Sequence, residues 1–165
     1  MRAASTSGRC DKADLAMNCR IGYAGADDLP HLADLLGELF ALESDFKPDR
    51  DRQLRGLRMI LDEPAVGRLF VMRIEGKVAG MANALITVST AEGARVALLE
   101  DVIVSRKHRG AGFGRQLVEH VLAWAREQGI ARVTLLVDRD NMLALDFYRS
   151  LGFGPSGMKV LRRKL

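Results

Sequence analysis

The stretch Glu100-Asp101-Val102-Ile103-Val104-Ser105-Arg106-Lys107-His108-Arg109-Gly110-Ala111-Gly112-Phe113-Gly114-Arg115 decides how this 165-residue chain is read. Ala97 to Val104 is apolar and rich in branched side chains, apart from Glu100 and Asp101, as an interior strand would be. From Gly114 the period changes. Leu117, Val118, Val121, Leu122 and Ala125 recur at helical spacing on one face, and Gly129 stands where that helix would close. Between strand and helix, Gly110, Gly112 and Gly114 carry no Cβ that could hold a ligand away from the backbone. The first N–H groups of a helix lack internal partners and lie at the positive end of its dipole, so this turn suits a phosphate or pyrophosphate. It is not a Rossmann fingerprint, because the third glycine would fall on Arg115. Nor is it a P-loop, because no Gly-Lys-Ser/Thr follows. The glycines alone also fit a tight strand-to-helix turn with no ligand.

The remaining composition is that of one globular domain. Hydrophobic residues make up 48% and charged residues 28%, and the length is enough to bury a core. No run approaches the roughly 18 apolar residues of a membrane span, and the first residues lack the continuous apolar core of a secretory leader. Cys10 and Cys19 have no partners at metal spacing, and His31, His108 and His120 are scattered. The expectation is therefore no disulfide framework, no metal and a reducing cytoplasm. A net charge of +4 and a pI near 9.4 favour anionic partners. The cluster Arg106 to Arg109 lies where a phosphorylated cofactor would arrive. The second cluster, Arg162-Arg163-Lys164, reads as a solvated tail rather than a nucleic-acid surface.

Residues 1–18 show little periodicity and read as an N-terminal extension, with the folded domain expected over 19–165. Arg20 to Ala24 is an expected strand. Asp27 can cap a helix whose stripe is Leu29, Leu32, Leu35, Leu36, Leu39 and Phe40. A polar break at Glu43-Ser44-Asp45 precedes Pro48 and a helix from about Asp49 to Leu61. Arg68 to Ile74 and Val78 to Ser89 form a hairpin through Glu75-Gly76-Lys77. Beyond the glycine helix come a strand at Arg132 to Val137, a helix at Asn141 to Ser150, a turn at Gly152 to Gly154 and a last strand at Met158 to Leu161. The order is β-α-α-β-β-β-α-β-α-β, an α/β (α+β) arrangement in which helices flank a mixed central sheet.

Arg109-x-x-Gly112-x-Gly114 after such a strand resembles the pyrophosphate loop of the GCN5-related N-acetyltransferases, the GNAT family. Asn141-x-x-Ala144-x-x-x-Tyr148-x-x-x-Gly152-Phe153 resembles its second signature, and the element order is similar to the GNAT fold. The resemblance covers about Arg20 to Phe153. It implies an acetyl-CoA-dependent N-acetyltransferase acting by direct transfer in a ternary complex, without a metal. It further implies that the backbone of Val102, Ile103 and Val104 pairs with the pantetheine arm. Amides of Arg109, Gly110, Ala111, Gly112, Phe113, Gly114 and Arg115 would hold the pyrophosphate, with the Arg109 side chain nearby. Plain core packing is the alternative for the three strand residues.

By the same resemblance, Tyr148 protonates the departing thiolate and Asn141 contacts the coenzyme. A buried tyrosine bonded to a carbonyl and a simple helix cap are the corresponding structural readings. Leu99-Glu100-Asp101 looks like the strand that places a glutamate in the acceptor cleft of the polyamine-acetylating branch. Glu100 would then bind the amine or remove its proton. Its alternative is an ion pair at a strand end, and as neighbours on a strand Glu100 and Asp101 are expected on opposite faces. Glu43 falls in the region that shapes the acceptor site in the family. The expected partner is a small-molecule or peptide amine, with no membrane and no nucleic acid, and a homodimer is compatible with the sequence. The rival readings are a CoA-binding regulator without turnover and an acetyltransferase of aminoacyl-tRNA that grips RNA through the basic tail.

Overall fold

The structure is a computed structural model, and it describes residues 18–42 and 47–164. Its first unit runs to Leu135 and its second from Leu136 to Leu165. In the first, β1 (Cys19–Tyr23) leads to α1 (Leu29–Phe40) and α2 (Arg50–Asp62). Then follow β2 (Gly67–Ile74), β3 (Lys77–Ser89), β4 (Ala94–Val104), α3 (Phe113–Glu127) and β5 (Val133–Leu135). The second unit holds α4 (Met142–Arg149).

The five strands form one sheet in the order β1-β2-β3-β4-β5. Pairs β1–β2, β2–β3 and β3–β4 are antiparallel, and β4–β5 is parallel. Helices cover both faces, so β2 and β3 read as nearly unbroken apolar runs rather than alternating ones. Leu69, Val71, Met81 and Ile103 point to one face and pack with Leu29, Leu32, Leu36 and Leu57 of α1 and α2. Phe70 points to the other face, where its ring meets His120 and Trp124 of α3 at centroid distances of 5.9 and 5.2 Å.

The entry to α1 differs from the expected Asp27 cap. A single 3-10 turn spans Ala26–Asp28, and the buried Asp28 carboxylate accepts from the Gly25 N–H (2.8 Å) and from Arg73 of β2 (2.5 Å). This ties the start of α1 to the sheet. Asp49 caps α2 by accepting from the Arg52 N–H at 3.1 Å.

Two strand expectations are corrected. The expected strand at Arg132 to Val137 is only three residues long, ending at Leu135 where pairing with β4 stops. No strand forms at Met158 to Leu161, where Met158 and Leu161 are 87% and 95% exposed. A strand exists only through a partner ladder, and none reaches this segment among the described residues. The N-terminal extension, through residue 17, and Glu43 lie outside the described residues.

Candidate active site

The site is built around the end of β4. Met81 pairs with Ile103 and Asn83 pairs with Glu100, so Asp101 and Val102 together face the single residue Ala82. Two residues opposite one is a β-bulge, and Asp101 carries it at a φ of 51°. Opposed residues share a face, which puts Glu100 on the side of Asn83 and of the core beneath α1. The Asn83 amide also donates to the Asp101 carboxylate (2.5 Å). The expectation that Glu100 and Asp101 point to opposite faces therefore fails. The bulge breaks the two-residue alternation and brings both acids to Asn83.

Pairing between β4 and β5 ends at Leu99 and Leu135, whereas β4 stays paired with β3 as far as Val104. The last residues of β4 thus extend beyond their β5 ladder. The Ser105 N–H donates to the Ala79 carbonyl (2.8 Å), so by alternation the Val104 carbonyl turns away from β3. That carbonyl accepts from Arg109 Nε at 2.8 Å, and a further Arg109 nitrogen lies 3.8 Å from a Glu38 oxygen on α1. The Arg109 side chain therefore ties the loop back to the strand it leaves. Sequence reasoning missed this tie, because it placed that side chain beside the pyrophosphate.

The loop begins with a 3-10 turn at Arg106–His108 and enters α3 through Gly112. Gly110 and Gly112 have φ of 76° and 83°, a region that side chains disfavour. Apart from the adjoining backbone, no atom lies within 4 Å of where a Cβ would stand on either, so this side of the backbone faces open space. The first bond of α3 runs from the Gln116 N–H to the Gly112 carbonyl (3.2 Å). The Phe113 and Gly114 N–H groups precede it and have no intrahelical partner. Phe113 is buried and its ring meets His108 edge-on at 6.2 Å, which anchors the turn. Desolvation, and after it the neighbouring Lys107 charge, push the His108 pKa below its ordinary value. Arg115 faces outward and pairs with Glu119 (3.5 Å). An open glycine backbone at a helix N-terminus, next to an extended strand end, fits a pyrophosphate with an amide-bearing arm.

In the second unit, Asn141 Oδ1 accepts from the Ala144 N–H (3.0 Å) and so caps α4. The Tyr148 ring lies between Phe147 and Phe153, at 5.0 and 5.8 Å. The Tyr148 carbonyl accepts from the N–H groups of Leu151 (3.0 Å) and Phe153 (3.1 Å), which fixes the residue at the helix end. Burial pushes the Tyr148 phenol up to about 12. The hydroxyl is therefore protonated throughout the physiological range.

Among the described residues no three His, Cys, Asp or Glu side chains gather as metal ligands would, and no helix is long and apolar enough to cross a membrane. Asn83 is the site residue that sequence reasoning overlooked. Its signal was present as one amide inside the apolar run Gly80 to Leu85.

The frame of this site is a mixed sheet covered by helices, with a bulged central strand running into a glycine-rich helix entry. Residues 21–153 match the Acetyltransferase (GNAT) family, and the chain belongs to that family. The chain is 36% identical over 97 residues to streptothricin acetyltransferase of Streptomyces lavendulae, a match covering 58% of this chain and 49% of that enzyme. It spans about half or less of the length of the first curated relatives it matches. A possible acetyltransferase from Clostridium difficile 630 superposes with a TM-score of 0.81 at 20% identity, over 89% of this chain and 97% of that one. A predicted acetyltransferase from Clostridium acetobutylicum, solved with acetyl-CoA, superposes with a TM-score of 0.73 at 13% identity, over 88% and 96%. These two likenesses concern the fold.

Proposed function

We propose that this protein is an N-acetyltransferase that moves the acetyl group of acetyl-CoA directly to an amine held in the same complex. The observation that carries this reading is the end of β4, which outruns its β5 ladder and leads straight into the open Gly110–Gly112 backbone. The neighbour solved with acetyl-CoA supports the choice of coenzyme. Bound acetyl-CoA supplies an acetyl thioester. The Phe113 and Gly114 amides, with the backbone from Arg109 to Arg115, hold its pyrophosphate. The backbone of Val102, Ile103 and Val104 holds its pantetheine arm, and Arg109 keeps loop and strand in register through the Val104 carbonyl. Asn141 adds a coenzyme contact to its capping role.

The acceptor is a small-molecule or peptide amine, deprotonated or anchored by Glu100, with Glu43 helping to shape its site. Nucleophilic attack needs a neutral amine, so Glu100 takes the amine proton directly or through water. Tyr148 acts on the departing sulfur. Burial raises its phenol to about 12, so it meets the sulfur in its protonated form. The hydroxyl donates to the sulfur as negative charge grows there and passes its proton to the departing thiolate. The sparse use of cysteine supports a reducing cytoplasm as the compartment.

The experiment is a panel of amines with acetyl-CoA, followed by two-substrate kinetics with the best acceptor. Intersecting double-reciprocal lines are expected for a ternary complex. Parallel lines would point to a covalent acetyl-enzyme, and no release of free CoA with any amine would favour a binding module.

A further inference from the structure

Beside the β4 bulge lies a buried polar side chain, Asn83, that takes no part in the proposed chemistry. Asn83 lies in the middle of β3 between two fully buried alanines and is itself 1% exposed. Its Nδ2 donates to the Asp101 carboxylate, and a carboxylate can only accept, which fixes the amide's orientation. Its Oδ1 has no partner among the described residues. Burying an amide with half its hydrogen bonding unmet is unfavourable, and an apolar side chain of the same size would fill this place at less cost. What the amide alone contributes is a donor for Asp101. Asp101 stands at a φ of 51°, where a Cβ crowds the backbone and only short polar side chains are common. It is also one of the two residues bulged opposite Ala82, and Asn83 itself is the cross-strand partner of Glu100. Tether, bulge and acidic side chain thus meet within one step of the ladder.

We infer that Asn83 is a positioning residue: its amide anchors Asp101 at positive φ, which sets the bulge and aims both Glu100 and the open end of β4. The inference rests on the acetyltransferase reading above for its kinetic consequence, but not for its structural one.

Four proteins test it: wild type, Asn83→Leu, Asp101→Gly and the double variant. Glycine adopts positive φ without a tether, so it should make Asn83 dispensable. In Asn83→Leu, kcat should fall by about tenfold or more while KM for acetyl-CoA stays within about twofold. In the Asp101→Gly background the same change should cost less than about threefold, a coupling that a purely structural side chain would not show. Equal losses in both backgrounds would overturn the inference, as would an Asp101→Gly protein as impaired as Asn83→Leu. The backbone is read separately, by NMR couplings that report the sign of φ at residue 101. Positive φ should persist in wild type and both Asp101→Gly proteins and disappear in Asn83→Leu. Positive φ retained in Asn83→Leu refutes the tether whether or not the protein acetylates anything. A wild type without acetyl transfer, but with this pattern of φ, would remove the enzyme reading and leave the tether standing. If Asn83→Leu does not fold, Asn83→Ser, whose hydroxyl is too short to reach Asp101, takes its place under the same criteria.

Discussion

Replacing Gly112 by asparagine and by aspartate separates backbone strain from charge at the coenzyme loop. Gly112 has φ of 83° and ψ of −1°, and apart from the adjoining backbone no atom stands within 4 Å of where a Cβ would be. Neither substitution meets a clash at its Cβ, and both incur the same left-handed backbone cost of about 1 kcal/mol. For a chain of this size, that lowers Tm by roughly 2–4 °C. The two side chains have nearly the same shape, and the difference between them is one negative charge at the start of α3. Without ligand, the charge is favourable by about 0.3–1 kcal/mol, so the aspartate variant should be the more stable of the two. With a pyrophosphate bound, the sign reverses. One charge about 5 Å from another, at an effective dielectric of about 20, repels by about 3 kcal/mol. CoA should therefore bind Gly112→Asp on the order of 100-fold more weakly than Gly112→Asn. Calorimetric titration with CoA at low, fixed ionic strength measures this difference, and melting curves without ligand check the opposite order of stability. Equal CoA affinities for the two folded variants would refute the placement of the pyrophosphate at this helix entry.

Glu100→Gln keeps the shape of the side chain and removes its charge. It should lower kcat/KM for a cationic amine by about 10²-fold or more, with the loss shrinking at high pH where the amine is already neutral. Unchanged kinetics with a lower Tm would instead make Glu100 an ion-pair partner. Tyr148→Phe keeps the ring between Phe147 and Phe153, so CoA affinity should hold while kcat falls by roughly 10²–10³-fold; full activity under rate-limiting chemistry would end its role at sulfur. The Tyr148 phenol also has a stability consequence. Its pKa is raised in the fold, to about 12, so its contribution is complete below the unfolded value near 10 and is lost as pH rises through 12. Wild type should lose on the order of 2–3 kcal/mol over that window beyond the loss seen in Tyr148→Phe, measured by urea unfolding. Parallel pH profiles for the two proteins would show that the phenol is not desolvated.

The features legible in the sequence are those whose causes lie within a few neighbouring residues. Gly110 and Gly112 mark positive φ because only glycine accepts it readily, and the α3 stripe follows from a 3.6-residue period. Asn141 caps α4 because its acceptor reaches a backbone N–H three residues on. Family membership was legible for the same reason, since both signatures are local runs in the correct order. The tertiary structure decided what depends on partners distant along the chain. Asn83 and Asp101 are 18 residues apart, and only the β3–β4 register makes them neighbours. That register also decides the bulge, and the bulge reverses the expected facing of Asp101 relative to Glu100. Arg109 carries a charge suited to a phosphate, yet the fold offers its Nε a nearer acceptor at Val104. An apolar run cannot lengthen a strand by itself. β5 therefore stops at Leu135 although Leu136 and Val137 follow it, and Met158 to Leu161 forms no strand. A helix closes its hydrogen bonds within its own sequence, whereas a strand needs a neighbour that its own residues do not specify.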